Sequence, residues 1–475
     1  MSSKSQTVSS TSHAAHPLTV GRASLVLIPG GLLALLSTTI VGVTTPDIIS
    51  ELGTGISSAQ WITTIYLLTA GLGIAASGWA SARYGVKHVW LISMSLYTGG
   101  ALGSAIAPEI PTLVAARAFQ GLGGGALEPL MLTTLARTAG PAKMGRVMGT
   151  VAAVMALGPL AGPALGGLAV DGFGWRVTFG STALLGAIVT AGSALVLRRE
   201  ATQSSRLDLP GLLLVAAATV LTLAGLSRVA TPAGPDAAAL GLLVGGVTTL
   251  AAFVWWAQHR RERAIINLAT FGSRGFGPAV LIMALMGAAI YPLFFGLPQF
   301  FQGVSGLTPA AAGLLMIPYG LGNLFAMPVT GSLSDALGSR RLIWAGASIT
   351  IVGFTLLIFT GPDTALPWYA LLMLLLGLGL GAIGAPTVSS LYRILAPELI
   401  PSGSSTLFIV NQFGGSLGVA LLTILIGGTT WGPQIGTTPL WVPVIATVAI
   451  ALTATRINDS HDEPGRPHAA TATTA

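Results

Sequence analysis

The sequence predicts an all-α membrane protein of many spans. Three observations carry this: charge is scarce, apolar runs of bilayer length recur along the whole chain, and basic residues fall in every second gap between them. Only 8% of the 475 residues are charged and 52% are hydrophobic, where a soluble domain carries about 25% charged residues. That leaves too little polar material to cover a surface facing water. The 63 glycines follow no collagen repeat and suit helices that approach closely in lipid. The absence of cysteine excludes disulfides and thiolate metal sites.

A crossing helix needs about 20 mostly apolar residues, and fourteen stretches qualify. They are 24–46, 57–82, 87–107, 111–136, 145–170, 178–197, 208–228, 237–257, 275–301, 308–332, 341–360, 367–391, 402–427 and 437–455. They must be helices, because an unpaired backbone group in lipid costs several kcal/mol. The polar Ser/Thr-rich segment before them is followed by a long apolar run without a processing site, so that run is expected to stay as the first span.

Alternating the spans from an inside N-terminus puts 19 of the 22 Lys and Arg residues on the cytoplasmic side. The clusters are Arg83/Lys87, Arg137/Lys143/Arg146, Arg198/Arg199/Arg206, Arg260/Arg261/Arg263 and Arg340/Arg341; Arg117, Arg176 and Arg228 are the exceptions. The positive-inside rule therefore places both termini in the cytoplasm. The net charge of +7 forms loop clusters rather than a nucleic-acid patch.

The chain repeats itself. Gly78, Arg83, Gly85 and Lys87 follow the second span; Gly331, Asp335, Gly338, Arg340 and Arg341 follow the tenth, and in each loop two glycines stand seven residues apart. Gly121-Leu-Gly-Gly-Gly-Ala126 in span four is echoed by Gly377-Leu-Gly-Leu-Gly-Ala382 in span twelve. The expected organisation is a cytoplasmic tail 1–23, an N-terminal six-helix bundle 24–197, two inserted transmembrane helices 198–264, a C-terminal six-helix bundle 265–456 and a cytoplasmic tail 457–475. Repeated bundles of this kind place a substrate site at their interface near the bilayer midplane and rock about it.

Several segments carry a family resemblance: Gly158-Pro-Leu-Ala-Gly162-Pro163-Ala-Leu-Gly166-Gly167 in span five, Arg117-Ala-Phe-Gln120-Gly121 in span four, the two loops just described, Leu36 to Val41 in span one, Trp61 and Tyr66 in span two, and Trp175-Arg176. Over residues 24–456 the chain resembles the fourteen-helix drug/proton antiporters of the major facilitator superfamily, the EmrB/QacA-like multidrug efflux branch. The resemblance implies that the span-five glycines and Pro163 favour exchange over leak, that Arg117 serves a proton relay, and that the loop residues gate one conformation. It also implies a monomer. The chain departs from the pattern at Ser37, where many drug antiporters carry an Asp, and at Ala82, where the first loop lacks its Asp. The alternative for the span-five motif is tight packing; for Arg117, fixing loop and helix packing near the outer surface.

Among fifteen Asp and Glu residues, Glu128 alone lies deep in a span, eleven residues from Arg117 on nearly the same helix face. An ionisable residue at this depth is a functional candidate, here a protonation site that a cationic substrate can share. The alternative is a permanently neutral Glu hydrogen-bonded for stability. Gln120, Tyr66, Tyr291, Gln299, Tyr319, Asn323, Asn411 and Gln412 are candidate linings of a substrate cavity, or else ties between helices. Phe294, Phe295, Phe300 and Phe301 read as core or lipid-facing, and His88 and His259 as solvated or interfacial.

No phosphate-loop motif or metal-ligand spacing occurs, so neither an enzyme nor an ATP-driven pump is expected. The expectation is a secondary active transporter of the plasma (inner) membrane, with no cofactor and the proton gradient as energy source. That gradient supplies about 2.3 kcal/mol per charge per 100 mV. Its expected partners are a small lipophilic substrate, protons and the bilayer. The alternatives are a metabolite uptake carrier or uniporter, and a non-transporting membrane sensor or scaffold.

Overall fold

A computed structural model describes residues 20–198, 207–229, 236–260, 264, 266–396, 399–427, 431 and 435–457; for 140–155, 335 and 401 only the backbone is described. The tails 1–19 and 458–475 therefore lie outside the described residues, as do Arg199, Arg206, Arg261 and Arg263 and the side chains of Lys143, Arg146 and Asp335.

The described residues form α-helices and short 3-10 turns without strands. The helices are α1 (Val20–Thr39), α2 (Val41–Leu52), α3 (Ile56–Tyr84), α4 (Val86–Ala105), α5 (Ile110–Val196), α6 (Leu209–Val229) and α7 (Ala237–Arg260). They continue as α8 (Phe276–Gly303), α9 (Pro309–Leu314), α10 (Ile317–Leu337), α11 (Ser339–Ile358), α12 (Leu366–Ile394), α13 (Ile400–Ile426) and α14 (Trp441–Ala454). Among the described residues, ten segments are long and apolar enough to cross a bilayer.

Three expected boundaries differ. The run 308–332 divides into α9 and α10. The first apolar run breaks at Ile40, and its second part, α2, runs on to Leu52. The runs 111–136, 145–170 and 178–197 fall within the single assigned helix α5. Yet α5 doubles back. Arg117 Nη2 donates to the Ser37 carbonyl at 3.2 Å, and Thr39 Oγ1 donates to the Gly158 carbonyl at 3.4 Å. A straight helix would put residues 117 and 158 about 60 Å apart, whereas both touch one turn of α1. The chain reverses again at Gly174, whose φ of 79° is in the glycine-favoured region. Arg176 returns to the end of α4, with Nη1 donating to the Ala107 carbonyl at 2.7 Å. At the far end, Trp90 Nε1 donates to Ser193 Oγ at 2.9 Å. Three antiparallel legs thus follow one another in α5.

Helices α1, α3 and α4 pack on α5; α10 and α11 pack on α12, and α8 on α13 and α14. The pair α6/α7 leans on α13 and α3. The two groups meet where α3 lies on α13, α9 and α10 on α5, and α2 on α8. Glycines set these approaches. A Cβ added at Gly42 would stand 1.9 Å from the Phe294 carbonyl oxygen; one at Gly167, 2.3 Å from that of Pro309; one at Gly313, 2.2 Å from that of Pro163. Gln302 Nε2 donates to the Val43 carbonyl at 3.2 Å across the same seam. All of these lie toward the end of the molecule that carries the Gly53 and Gly306 turns. At the opposite end, carrying Gly85 and Gly338, a Cβ at Gly78 meets nothing within 4 Å and one at Gly331 meets only Ala385 of its own group. The groups are closed on each other at the Gly53 end.

The Gly158–Gly167 motif is a packing face on both sides. Gly158 and Gly162 receive Leu35 and Thr39 of α1, Gly166 receives Ile40 at the α1/α2 break, and Gly167 receives α9. The paired loops share one backbone shape: Gly85 has φ 79° and ψ 148°, and Gly338 has φ 81° and ψ 150°.

Because the Gly42 contact is with backbone, Gly42→Val must separate α2 from α8. The cysteine-free chain permits a clean assay: in a Tyr319→Cys background, Gly42→Val is expected to raise labelling by an impermeant maleimide applied at the Gly53 end severalfold. Unchanged labelling would show that α2 and α8 do not hold this end shut.

Candidate functional site

Arg117 is fully buried on the first leg of α5. Its Nε donates to the Ile62 carbonyl at 3.1 Å, Nη1 to Gln120 Oε1 at 2.7 Å and Nη2 to the Ser37 carbonyl at 3.2 Å. The guanidinium carbon sits 4.1 Å from the Tyr66 ring centroid and 5.7 Å from that of Phe179. No described carboxylate pairs with it. Charge burial, which costs at least about 2.5–3.5 kcal/mol in lipid, is offset by carbonyl dipoles and an aromatic face. Arg117 thus fixes the first leg of α5 against α1 and α3.

A hydrogen-bond relay extends from this knot. Gln120 Nε2 donates to Ser37 Oγ at 3.2 Å, and Ser37 Oγ lies 2.5 Å from Tyr97 Oη, which donates to the Leu33 carbonyl at 2.8 Å. With the Tyr97 proton committed to Leu33, the Ser37 hydroxyl donates to Tyr97. Tyr66 Oη donates to the Ala34 carbonyl at 3.0 Å. Four helical legs are tied at one level, and Ser37 is their junction.

Glu128 sits on the same leg of α5, below Tyr66. It is partly exposed and makes no hydrogen bond or ion pair with any described residue. It lies within electrostatic reach of Tyr66 and of Tyr291 on α8, and Tyr291 within reach of Tyr319 on α10. Tyr66 and Tyr291 pack together across the seam between the helix groups, so Glu128 lies near that seam. Tyr291 Oη donates to Gln412 Oε1 at 2.5 Å. Ser416, one turn along α13, donates to the Thr64 carbonyl of α3 at 3.3 Å.

The remaining candidates divide. Tyr319 stacks edge-on against Phe294 at 5.2 Å and meets Asn323 Nδ2 at 3.5 Å, close under the Gly42 contact. Gln299 bonds back to the Phe295 carbonyl of its own helix, and Asn411 ties α13 to the Met283 carbonyl of α8. Phe300 and Phe301 join Tyr369 and Trp431 in a buried ring cluster. His88 and His259 are exposed and bonded to carbonyls one turn back. Among the loop residues, Lys87 Nζ donates to the Ala194 carbonyl at 2.8 Å, while Ser339 bonds the Pro386 carbonyl and Arg393. Gly78, Arg83, Gly331 and Arg341 have exposed or partly exposed positions at that end.

Sequence reasoning missed two partners. Glu51 Oε2 accepts from Trp175 Nε1 at 2.7 Å, and its Oε1 accepts from Arg176 Nε at 2.9 Å, closing a clamp at the Gly53 end. Arg176 also stacks on Trp175 at 4.3 Å. Tyr97 as the terminus of the Ser37 relay was not singled out either. Asp47, one turn before Glu51 and just past the first apolar run, has its carboxyl pushed up by partial burial and then by Asp171 and Glu51.

These features, two helix groups meeting on glycine faces with buried polar ties and a deep acid without a described partner, define a membrane transporter. The family model of the Major Facilitator Superfamily matches residues 27–419, and the chain belongs to that superfamily. It is 32% identical over 411 residues to a multidrug resistance protein B homolog of Mycobacterium tuberculosis, covering 85% of this chain and 76% of that one. To a putative multidrug resistance protein MdtD of Escherichia coli it is 32% identical over 406 residues, covering 84% of each. The fold resembles the partially occluded inward-open xylose transporter XylE from E. coli (TM-score 0.61, 17% identity, 91% and 98% covered). It also resembles a POT peptide transporter (TM-score 0.68, 15% identity, 92% and 94% covered).

Two outcomes follow from this geometry. Ser37→Ala strands the Gln120 amide and the Tyr97 acceptor and is expected to destabilise by about 1–3 kcal/mol, read as a fall in Tm; an unchanged Tm would refute the junction. For Asp47, the raised folded-state pKa means that its contribution to stability is full below the ordinary carboxylate range and is lost as pH rises through the folded value. Asp47→Asn is therefore expected to melt higher than wild type at neutral pH and to lose that advantage at acid pH.

Proposed function

We propose that this superfamily member exports lipophilic small molecules, such as drugs, antibiotics or metabolites, in exchange for protons, with Glu128 as the protonation site. The observation that carries the reading is the placement of Glu128: an acid deep in the fold, partly exposed, unbonded among the described residues and set at the seam beside Tyr66 and Tyr291. The multidrug resistance relatives support the substrate class. Tyr66, Tyr291, Gln412, Tyr319 and Asn323 are the side chains best placed to meet substrate. Arg117 and Gln120 hold the first leg of α5 against α1 and α3, so that Glu128 stays in register.

In this reading the chain crosses the membrane fourteen times: once as α1/α2, three times within α5, once as α9/α10, and once in each of the other nine helices. The two helix groups act as six-helix bundles over 24–197 and 265–456, with α6 and α7 as the inserted pair. The Gly85 end faces the cytoplasm together with both termini, and the cell (inner) membrane is the location. The closed Gly53 end then makes this the inward-facing state. The transporter works as a monomer without a cofactor.

The test is transport in proteoliposomes under an imposed pH gradient, with a panel of lipophilic dyes. Wild type is expected to move dye against the proton flow, and Glu128→Gln to abolish gradient-driven movement while folding normally. Dye movement that ignores both gradient and mutation would instead mark a uniporter, and accumulation with the gradient would mark an uptake carrier.

A further inference from the structure

A groove of about 390 Å³ opens between the first turn of α8 and the last turn of α14, lined by Gly277, Pro278, Leu281, Leu452, Thr453 and Arg456. It lies at the Gly85 end, where the chain's basic residues gather. Its walls have two characters. Leu281 and Leu452 are 49% and 64% exposed, an apolar strip running toward the middle of the bundle. Arg456 stands at the mouth, one residue past the α14 cap. Its backbone amide closes the last turn on Thr453, but its exposed guanidinium makes no hydrogen bond or ion pair with any described residue. Among the described residues, no acidic side chain lines the groove. The α8 cap is Gly275, with φ 95° and no side chain to cover the helix end, so the dipole adds to the positive potential there.

We propose that this groove binds an anionic phospholipid of the adjoining leaflet, its phosphate against Arg456 and an acyl chain along Leu281 and Leu452. A guanidinium grips phosphate through paired, charge-assisted hydrogen bonds, and basic pockets between helices at a membrane surface recruit anionic headgroups. The acyl strip gives little selectivity, because lipid tails are as apolar as leucine. Discrimination comes from headgroup charge. Phosphatidylglycerol and cardiolipin bring a net negative charge to the arginine, whereas the choline of phosphatidylcholine cancels its own phosphate. The site lies on the outside of the bundle, away from Glu128, and does not depend on the export reading.

The test is native mass spectrometry of the purified full chain titrated with phosphatidylglycerol, phosphatidylcholine or inorganic phosphate. Wild type is expected to retain phosphatidylglycerol in preference to phosphatidylcholine and to ignore phosphate. Arg456→Gln is expected to weaken phosphatidylglycerol retention about fivefold, the value of one basic residue at a membrane surface, and Arg456→Lys to restore part of it. Gly277→Leu tests the groove itself: a Cβ there meets nothing within 4 Å, so the side chain fits the fold but occupies the lipid's place. It too is expected to lower retention. Equal retention of the two lipids by wild type, or undiminished retention by either Arg456→Gln or Gly277→Leu, overturns the proposal. Tight binding of phosphate alone would make this a small-anion site and overturns it as well.

Discussion

Close approach of helix backbones at glycine is the constraint on which the rest of this structure depends. Lipid offers helices no hydrophobic reason to associate, so contact must come from packing and polar ties. Gly121 lies under the Tyr66 carbonyl, Gly125 under that of Ala70 and Gly123 under that of Ser93. The second group repeats the arrangement: Gly377 lies under the Tyr319 carbonyl, Gly381 against Asn323 and Gly379 under the Gly346 carbonyl. Apart from Gly381, where the tightest neighbour is the Ala326 side chain, methyl groups at these points would stand about 2–3 Å from backbone atoms, distances that rigid helices cannot relieve. The same contacts bring Tyr66 and Tyr319 to matching positions in the two groups.

Such tight packing can hold a buried cation only if its donors are met by fixed acceptors. Arg117 meets this condition without an acid, through two main-chain carbonyls, Gln120 and the face of Tyr66. Ser37 accordingly acts as a relay hydroxyl in a neutral chain. An Asp at that position would face both Arg117 and the Tyr97 hydroxyl and would convert the knot into an ion pair. Glu128 is in the opposite situation, with no described partner and some exposure. A group whose bonds are all satisfied resists change of protonation or place, whereas an unsatisfied one is available for exchange. That contrast separates the two charged residues that the sequence placed on one helix.

Much of this was legible from residue order, and the exceptions have physical causes. Apolar run length gave the helical segments, and the paired loops proved to share one backbone shape at Gly85 and Gly338. The merging of three runs into α5 was not legible, because the turn at residues 140–155 retains helical backbone and only long-range contacts reveal the reversal. The cost of charge in lipid makes Arg117 stand out in the sequence, but its partners do not, since carbonyls carry no sequence signature. Gln299 and Asn411 illustrate the limit: type and depth made them cavity candidates, yet Gln299 bonds within its own turn and Asn411 ties two helices. The Glu51 clamp was hidden because Glu51 lies in α2, past the end assigned to the first run.

The glycine motif of α5 joins these themes. Its Gly158, Gly162 and Gly166 bind the leg to α1, the helix that carries Ser37, while Pro163 and Gly167 of the same leg touch α9 across the seam. Any rocking of one group on the other must move the α9 contacts while the α1 contacts hold, because the latter are locked by Thr39 and by the Arg117 knot one turn away. On the export reading the leg serves as a bearing, with one face fixed and the other sliding. On the export reading, Glu128 and Tyr66 travel with the fixed face, and Tyr291 and Gln412 with the moving group. Rocking then changes the surroundings of the acid without breaking the bonds that position it, which is the condition for coupling proton binding to a change of access.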